Sequence, residues 1–417
     1  VRATRTALAH AGAALRQILR FEAPADQLLS AYFRAHRNLG QHDRALVAEA
    51  VFAVLRRKRS LEAAAGSAEP DALIAAALVR VLGFSARSLD GLVDEHLLRH
   101  VRSRAAETVV DLPDWLWERL REQYGEEEAK RLAQALTNPA PLDLRVNLAR
   151  LERDAARERL AADGIQASPT PYSPAGLRVT GKPAINRHPL FQDGLIEVQD
   201  EGSQLLAWVL APRRGEMVGD YCAGAGGKTL AAAMLMRGSG RVYAFDVSAK
   251  RLAALAPRAA RAGITNVHTV VLAGDDNRAK RLAGKLQRVL VDAPCSGFGT
   301  LRRNPDLKWR HGPAAIAELA AKQRRILDAA GRLVQPGGRL VYATCSILHD
   351  ENDAVVDDFL RTHADFRAES CAEVLRTQRI ALDTGERLRL LPHVHGTDGF
   401  YAAAFTRRMA GAVNNDH

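Results

Sequence analysis

Met217-Val218-Gly219-Asp220-Tyr221-Cys222-Ala223-Gly224-Ala225-Gly226-Gly227-Lys228-Thr229 is the stretch that decides the fold of this chain. A short apolar run leads into a cluster of glycines, and a helix-forming segment follows. Glycines let the backbone bend sharply and approach a ligand, while a helix N-terminus presents unpaired N–H groups. The stretch is superficially like a triphosphate-binding P-loop, but Cys222 stands where the first glycine of G-x-x-x-x-G-K-[ST] is required. That leaves a nucleoside-bearing cofactor at the carboxyl ends of parallel strands, and Asp246, about 20 residues on, stands where an acid binds ribose hydroxyls.

Working outward, residues 217–221, 241–246, 267–272, 288–292 and 338–343 read as short apolar strands. Helical stretches at 227–237, 248–262 and 313–334 separate them, and 399–405 reads as one more strand. Strict alternation of this kind predicts an α/β fold with a doubly wound, mainly parallel sheet over 201–408. Upstream, Asn138-Pro139-Ala140-Pro141 breaks the chain, and 138–200 reads as a small α+β linking module. Residues 1–137 carry apolar positions at intervals of three and four, such as Leu15, Ile18, Leu19 and Leu46, Val47, Ala50, Val51, Val54, which predicts an all-helical domain. Trp115 and Trp117 are expected in its core, and residues 409–417 form a polar tail.

The 417 residues hold 59 Lys+Arg against 48 Asp+Glu, a formal net charge of +11. That excess fits a polyanionic partner, although a general preference for Arg gives the same sum. The run Arg56-Arg57-Lys58-Arg59 is either a solvated helix end or a phosphate contact. No apolar run reaches the roughly 18 residues of a membrane span. Nothing reads as a secretory leader, so a cytoplasmic location is expected, and Val1 in place of Met suggests a processed or trimmed start.

Four cysteines cannot build a disulfide scaffold, and no Cys or His set has zinc-ligand spacing, so no metal is expected. Each thiol is therefore filler or chemistry. Cys371 has no special context. Cys295 follows Asp292-Ala293-Pro294 at the end of one predicted strand, and Cys345 follows Ala343-Thr344 at the end of the next. Both ends open onto the cofactor crevice of a doubly wound sheet. One chemistry that needs a thiol beside a nucleoside cofactor is methylation of a pyrimidine at carbon 5. A thiolate adding to carbon 6 breaks the conjugation and makes carbon 5 nucleophilic. Asp292 is placed to stabilise the charge that develops on addition.

With these motifs the chain resembles the Fmu/Sun family of RNA cytosine-C5 methyltransferases. The resemblance rests on Cys222 to Thr229, on Asp292-Ala293-Pro294-Cys295-Ser296-Gly297 and on Ala343-Thr344-Cys345-Ser346. It extends to Val198 through Gln204, to Leu301 through Trp309 and to Asp398-Gly399-Phe400-Tyr401. It implies a Rossmann-like class I methyltransferase domain with a seven-stranded sheet, and Asp43-Arg44-Ala45-Leu46 is similar to the NusB-like RNA-binding domain of the ribosomal members. The implied cofactor is S-adenosyl-L-methionine, held by Cys222, Ala223, Gly224, Ala225, Gly226, Gly227, Lys228, Asp246, Asp275 and Asp292, with Asp276 leaving the register at Asp275 open by one residue.

Cys345 resembles the family's nucleophile, and Cys295 its second cysteine, which helps release the product. Arg302, Arg303, Lys308 and Trp309 suit phosphate contact and base stacking. Arg145 and Asn147 are similar to a further family motif, whereas His393 and His395 lack partners for a metal. The implied substrate is RNA, with 16S ribosomal RNA first, naked or in a precursor particle, and a monomer acting on it. Transfer RNA, large-subunit RNA or a non-catalytic assembly role are the alternatives. One departure is visible: the family loop commonly has Ala-Pro where this chain has Gly224-Ala225, which makes the loop more flexible.

Overall fold

The computed structural model describes residues 3–104, 109–272 and 277–409. They form two compact units, one of residues 1–139 with 297–315, the other of 140–296 with 316–417. Asp275 and the end of the tail, 410–417, lie outside the described residues. Among the described residues no helix is long and apolar enough to cross a membrane.

The first unit is helical. Thr4 caps Arg5–Ile18 by accepting from the Ala7 N–H at 3.0 Å, and Pro70 opens Pro70–Arg80, where its missing N–H costs nothing. The apolar stripe of Arg5–Ile18, with Ala7, Leu15 and Ile18 fully covered, packs on Val47, Val51 and Leu55 of Gln41–Arg56 and on Leu73 and Leu78. Each Val, Leu or Ile among them contributes roughly 1.5–3 kcal/mol on leaving water. Trp115 and Trp117 are only half-buried, unlike the expectation from sequence; the fully covered positions of their helix are Leu116 and Leu120.

The second unit contains two sheets. The smaller has strands β1 (Leu142–Val146), β2 (Ala167–Pro169), β3 (Gly176–Val179) and β4 (Ile196–Val198), all antiparallel in the order β2-β3-β1-β4. Helix Arg153–Ala162 covers it, with Ala156 and Leu160 packed on Leu144, Val146 and Leu177.

The larger sheet has β5 (Met217–Asp220), β6 (Arg241–Asp246), β7 (Val267–Val271), β8 (Leu286–Asp292), β9 (Val334–Thr344), β10 (Phe366–Glu369), β11 (Leu388–Leu390) and β12 (Phe400–Arg407). Its order is β10-β12-β9-β8-β5-β6-β7, with β11 paired to β12. Strands β5 to β9 pair in parallel, whereas β12 runs antiparallel to β9, β10 and β11. The extra strand β11 makes the sheet eight-stranded, one more than the sequence suggests. Helices fill both faces: Leu205, Leu206 and Val209 lie on one, Leu327 and Phe359 on the other. Winding reverses at β5, which has β6 on one side and β8 on the other, so a crevice opens beyond their carboxyl ends.

Candidate active site

The glycine loop sits at that reversal. Gly226 has φ +86°, and a Cβ there would lie 2.1 Å from Leu255 Cδ1, so only glycine fits. Gly224 is also left-handed, at φ +55°, but faces open space. The loop is fastened from outside. Asp246 Oδ2 accepts from the Gly224 N–H at 2.9 Å, and its Oδ1 from the Ser248 N–H at 2.7 Å. Arg258 Nη1 donates to the Ala225 carbonyl at 2.6 Å, and Arg145 Nη1 to the Gly227 carbonyl at 2.7 Å.

Arg145 is a buried residue of the small sheet that also donates to Gln199. Burial lowers its pKa to about 10, which leaves it charged at neutral pH. Sequence reasoning flagged Arg145 through its motif but missed Arg258, whose role depends on contact through space. Asn147 bridges the carbonyls of Gly194 and Ala262, a bracing role. The Asp200 and Asp398 motifs brace each other as well: Asp200 Oδ2 accepts from Gly202 and its Oδ1 from the Asp398 N–H.

Lys228, in the first turn of helix Gly227–Leu235, places Nζ 2.6 Å from Asp292 Oδ2 and 5.8 Å from the Phe400 ring centroid. Burial works against the ammonium. Asp292, with smaller contributions from Cys345 and Asp220, outweighs it, so the Lys228 pKa is raised and the side chain stays cationic. Asp220, which the sequence left unassigned, ends β5 nearly covered. Burial lifts its pKa to about 6, with Asp292 adding to the rise and the 2.7 Å hydrogen bond from Thr229 Oγ1 opposing it. Its Oδ1 has no hydrogen-bond partner.

Strands β8 and β9 carry the two thiols to the same place: Cys295 Sγ and Cys345 Sγ lie 3.4 Å apart. Both side chains are partly exposed. Cys222 is also partly exposed and Cys371 is buried, but among the described residues neither thiol has a thiol partner of this kind. Burial, with Asp220, Asp292 and Asp246 adding to it, pushes the Cys222 thiol far up, and burial pushes Cys371 up to about 11. Neither is placed to act as a thiolate at neutral pH.

A sulfonium nucleoside fits this crevice on what the loop exposes. Gly224 leaves room for a ligand at the backbone, Asp246 and the orphaned Asp220 Oδ1 offer acceptors, and Val247 shows an apolar surface, 72% exposed, next to the acid. Among the described residues no group of three His, Cys, Asp or Glu is arranged to hold a metal ion.

The expected RNA cluster is corrected in part. Lys308 is 2% exposed, with Nζ donating to the carbonyls of Arg56 at 2.8 Å and Asp111 at 2.6 Å. Burial lowers its pKa to about 7. Trp309 donates Nε1–H to the Leu55 carbonyl at 3.0 Å, and Arg302 is 7% exposed with its own carbonyl taken by Arg56. These bonds pin residues 297–315 within the helical unit. Arg303 is half-buried and bonded within the protein. In the run at 56–59, Lys58 pairs with Glu62 and Arg59 with Asp114.

Sheet order, glycine loop and paired thiols together define a Rossmann-like methyltransferase domain. Residues 207–406 match a family model described as 16S rRNA methyltransferase RsmB/F, and residues 112–186 match the ferredoxin-like domain of RsmF/B-like methyltransferases. The second match starts well before the expected boundary at 137/138, and the order β4-β1-β3-β2 of the small sheet is the ferredoxin-like one.

A probable ribosomal RNA small subunit methyltransferase B of Synechocystis is 38% identical over 294 residues, 70% of this chain and 66% of that protein. A Bacillus subtilis protein of the same description is 34% identical over 311 residues, covering 74% and 68%. The crystal structure of PH0851 superposes with a TM-score of 0.78 at 25% identity, covering 97% of this chain and 99% of that one. The chain belongs to the RsmB/F family of 16S rRNA methyltransferases, whose sequence relatives it matches over about two thirds of their length.

Proposed function

We propose that this protein transfers a methyl group from S-adenosyl-L-methionine to carbon 5 of a cytosine in 16S ribosomal RNA, through a covalent bond between Cys345 and carbon 6. The observation that carries this reading is the pair of thiols 3.4 Å apart beside Lys228 and Asp292. Bound S-adenosylmethionine supplies an electrophilic methyl group at the crevice. Gly224 through Lys228 and Asp246 would hold it.

Cys345 Sγ forms a bond to carbon 6 of a base turned out of its stack. The electron pair displaced from the carbon 5–carbon 6 double bond makes carbon 5 nucleophilic and forms its new bond to the donor's methyl group, whose bond to the sulfonium sulfur breaks to leave a neutral thioether. Asp292 faces the base edge as addition begins, and Lys228 balances the anions on either side of it. Loss of the carbon 5 proton to a base re-forms the double bond and expels the Cys345 thiolate. Cys295 is the nearby group for that release step. The helical unit is read as NusB-like and RNA-binding, and the enzyme as a cytoplasmic monomer that meets naked RNA or a precursor particle.

Labelled methyl donor and total bacterial RNA test the assignment. Cys345→Ala should abolish incorporation. Cys295→Ala should accumulate a covalent protein–RNA adduct on a denaturing gel, and the adduct should vanish when Cys345 is also changed. Sequencing the trapped RNA names the substrate. A fully active Cys345→Ala variant overturns the nucleophile.

A further inference from the structure

The turn after β9 holds a carboxylate that the chemistry above does not use. Glu351 ends the short 3-10 turn His349–Glu351 and is 0% exposed. Its Oε1 accepts from the Ser296 backbone N–H at 2.8 Å and from Gln323 Nε2 at 3.0 Å. Its Oε2 accepts from the hydroxyls of Ser296 and Ser346, both at 2.5 Å. These donors are neutral, so hydrogen bonds compensate the loss of water around the carboxylate. Its own carbonyl accepts from the Tyr342 hydroxyl at 2.6 Å, which fixes the turn to β9. Asn352 completes the frame by accepting from Thr344 Oγ1 at 2.5 Å and donating to the Ser346 carbonyl at 3.0 Å.

Ser296 directly follows Cys295, and Ser346 directly follows Cys345. One carboxylate therefore grips both cysteine-bearing loops a single residue from each sulfur. The pairing of β8 with β9 ends at Asp292 opposite Ala343, with one further bond from the Ala293 N–H to the Ala343 carbonyl. Past that point the two loops leave the ladder, and the sheet no longer sets the distance between the thiols. A reaction that forms and then breaks a bond at one sulfur with help from the other needs that distance held, since about 1 Å of misplacement costs about 10²-fold in rate.

We propose that Glu351 is the positioning residue of the two-thiol centre: it ties the Cys295 and Cys345 loops into one rigid body and so sets the separation of their sulfurs. This rests on the reading of both cysteines as reacting groups, but its test reads geometry without RNA or methyl donor. Diamide oxidises two neighbouring thiols: each sulfur gives up its hydrogen, an S–S bond forms, and the azo compound takes up both hydrogens to become a hydrazine. Peptide mass spectrometry then times the Cys295–Cys345 crosslink.

Wild-type protein should crosslink readily. Glu351→Ala should slow the crosslink about tenfold or more and lower kcat by a similar factor, with KM for S-adenosylmethionine changed less than about twofold. Glu351→Gln, in which the serine hydroxyls can rotate to meet an amide, should restore crosslinking to within about threefold of wild type. That rescue would not follow from a loss of general stability alone. Should Glu351→Ala fail to fold, Ser346→Ala removes one tether and should still slow the crosslink severalfold. A folded Glu351→Ala or Ser346→Ala protein that crosslinks at the wild-type rate overturns the proposal, as does a wild-type protein that does not crosslink at all.

Discussion

Lys228 Nζ lies 2.6 Å from Asp292 Oδ2, although one residue begins a helix and the other ends a strand more than sixty positions on. The lysine is the more covered partner, its side chain 14% exposed against 27% for the aspartate. Removing either partner is therefore not equivalent. Asp292→Asn strands a buried cation, whereas Lys228→Met leaves an anion that water can still reach.

We expect Asp292→Asn to cost about 3 kcal/mol of stability, the low end for a broken buried pair, and Lys228→Met clearly less. Both should lower methyl transfer by about 10²-fold or more, as loss of a charge at a reacting centre does. Urea denaturation and methyl incorporation measure the two effects. Equal stability losses would mean that water reaches both groups alike.

Asp220 gives a pH signature. Its folded-state pKa of about 6 lies above the ordinary carboxyl value, so between about 4 and 6 the folded chain binds the extra proton. This group's contribution to stability is therefore greatest at low pH and declines as pH rises through 6, by up to about 3 kcal/mol in total. Asp220→Asn cannot ionise. Its stability relative to wild type should improve as pH rises from about 4.5 to about 6 and then level off up to about pH 7.5. Denaturant midpoints at several pH values follow the difference, and a flat difference would place the unusual proton elsewhere.

What the sequence made legible and what it hid follow one rule. Cys295 and Cys345 could be read because a strand end fixes where a side chain goes in a doubly wound sheet, whatever surrounds it. Asp246 was legible for the same reason, but its bonds to Gly224 and Ser248 were not, because they depend on the shape of the loop. Glu351 and Arg258 carry no local signal: each acts on a segment distant in sequence, and a buried Glu looks like any surface Glu in a string of letters. Strands β2 and β4, three residues each, are too short for periodicity to reveal. The carbonyl bonds of Lys308 and Trp309 were hidden, because a basic–aromatic pair that fastens backbone carbonyls has the same composition as one that meets RNA.

Lys308 tests that last distinction. A lysine whose Nζ is spent on two carbonyls supports the helical unit, so Lys308→Ala should cost about 2–5 kcal/mol through lost hydrogen bonds and packing. It should leave the salt dependence of RNA binding unaltered, whereas a lost phosphate contact reduces the slope of log affinity against log salt by about 0.7–0.9. Filter binding at four salt concentrations measures the slope. A shallower slope with unchanged stability would return Lys308 to the RNA interface.

The cofactor loop separates conformational from steric cost at two glycines. Both have positive φ, so any Cβ pays a left-handed backbone penalty of roughly 1–2 kcal/mol. At Gly224 nothing lies within 4 Å of that Cβ, whereas at Gly226 it meets Leu255, itself 0% exposed and packed with Leu230 and Leu252. Leu255 cannot withdraw without disturbing that cluster. Gly226→Ala should therefore lose about 1–3 kcal/mol more stability than Gly224→Ala, the usual cost of overpacking. The order should reverse for binding at the crevice. Gly224→Ala projects a methyl into the open space where a ligand would approach, so its S-adenosylmethionine affinity should fall more than its stability accounts for. Calorimetric titration beside urea denaturation of both variants gives the comparison, and a Gly224→Ala protein that binds the cofactor as wild type does would put the ligand away from the loop.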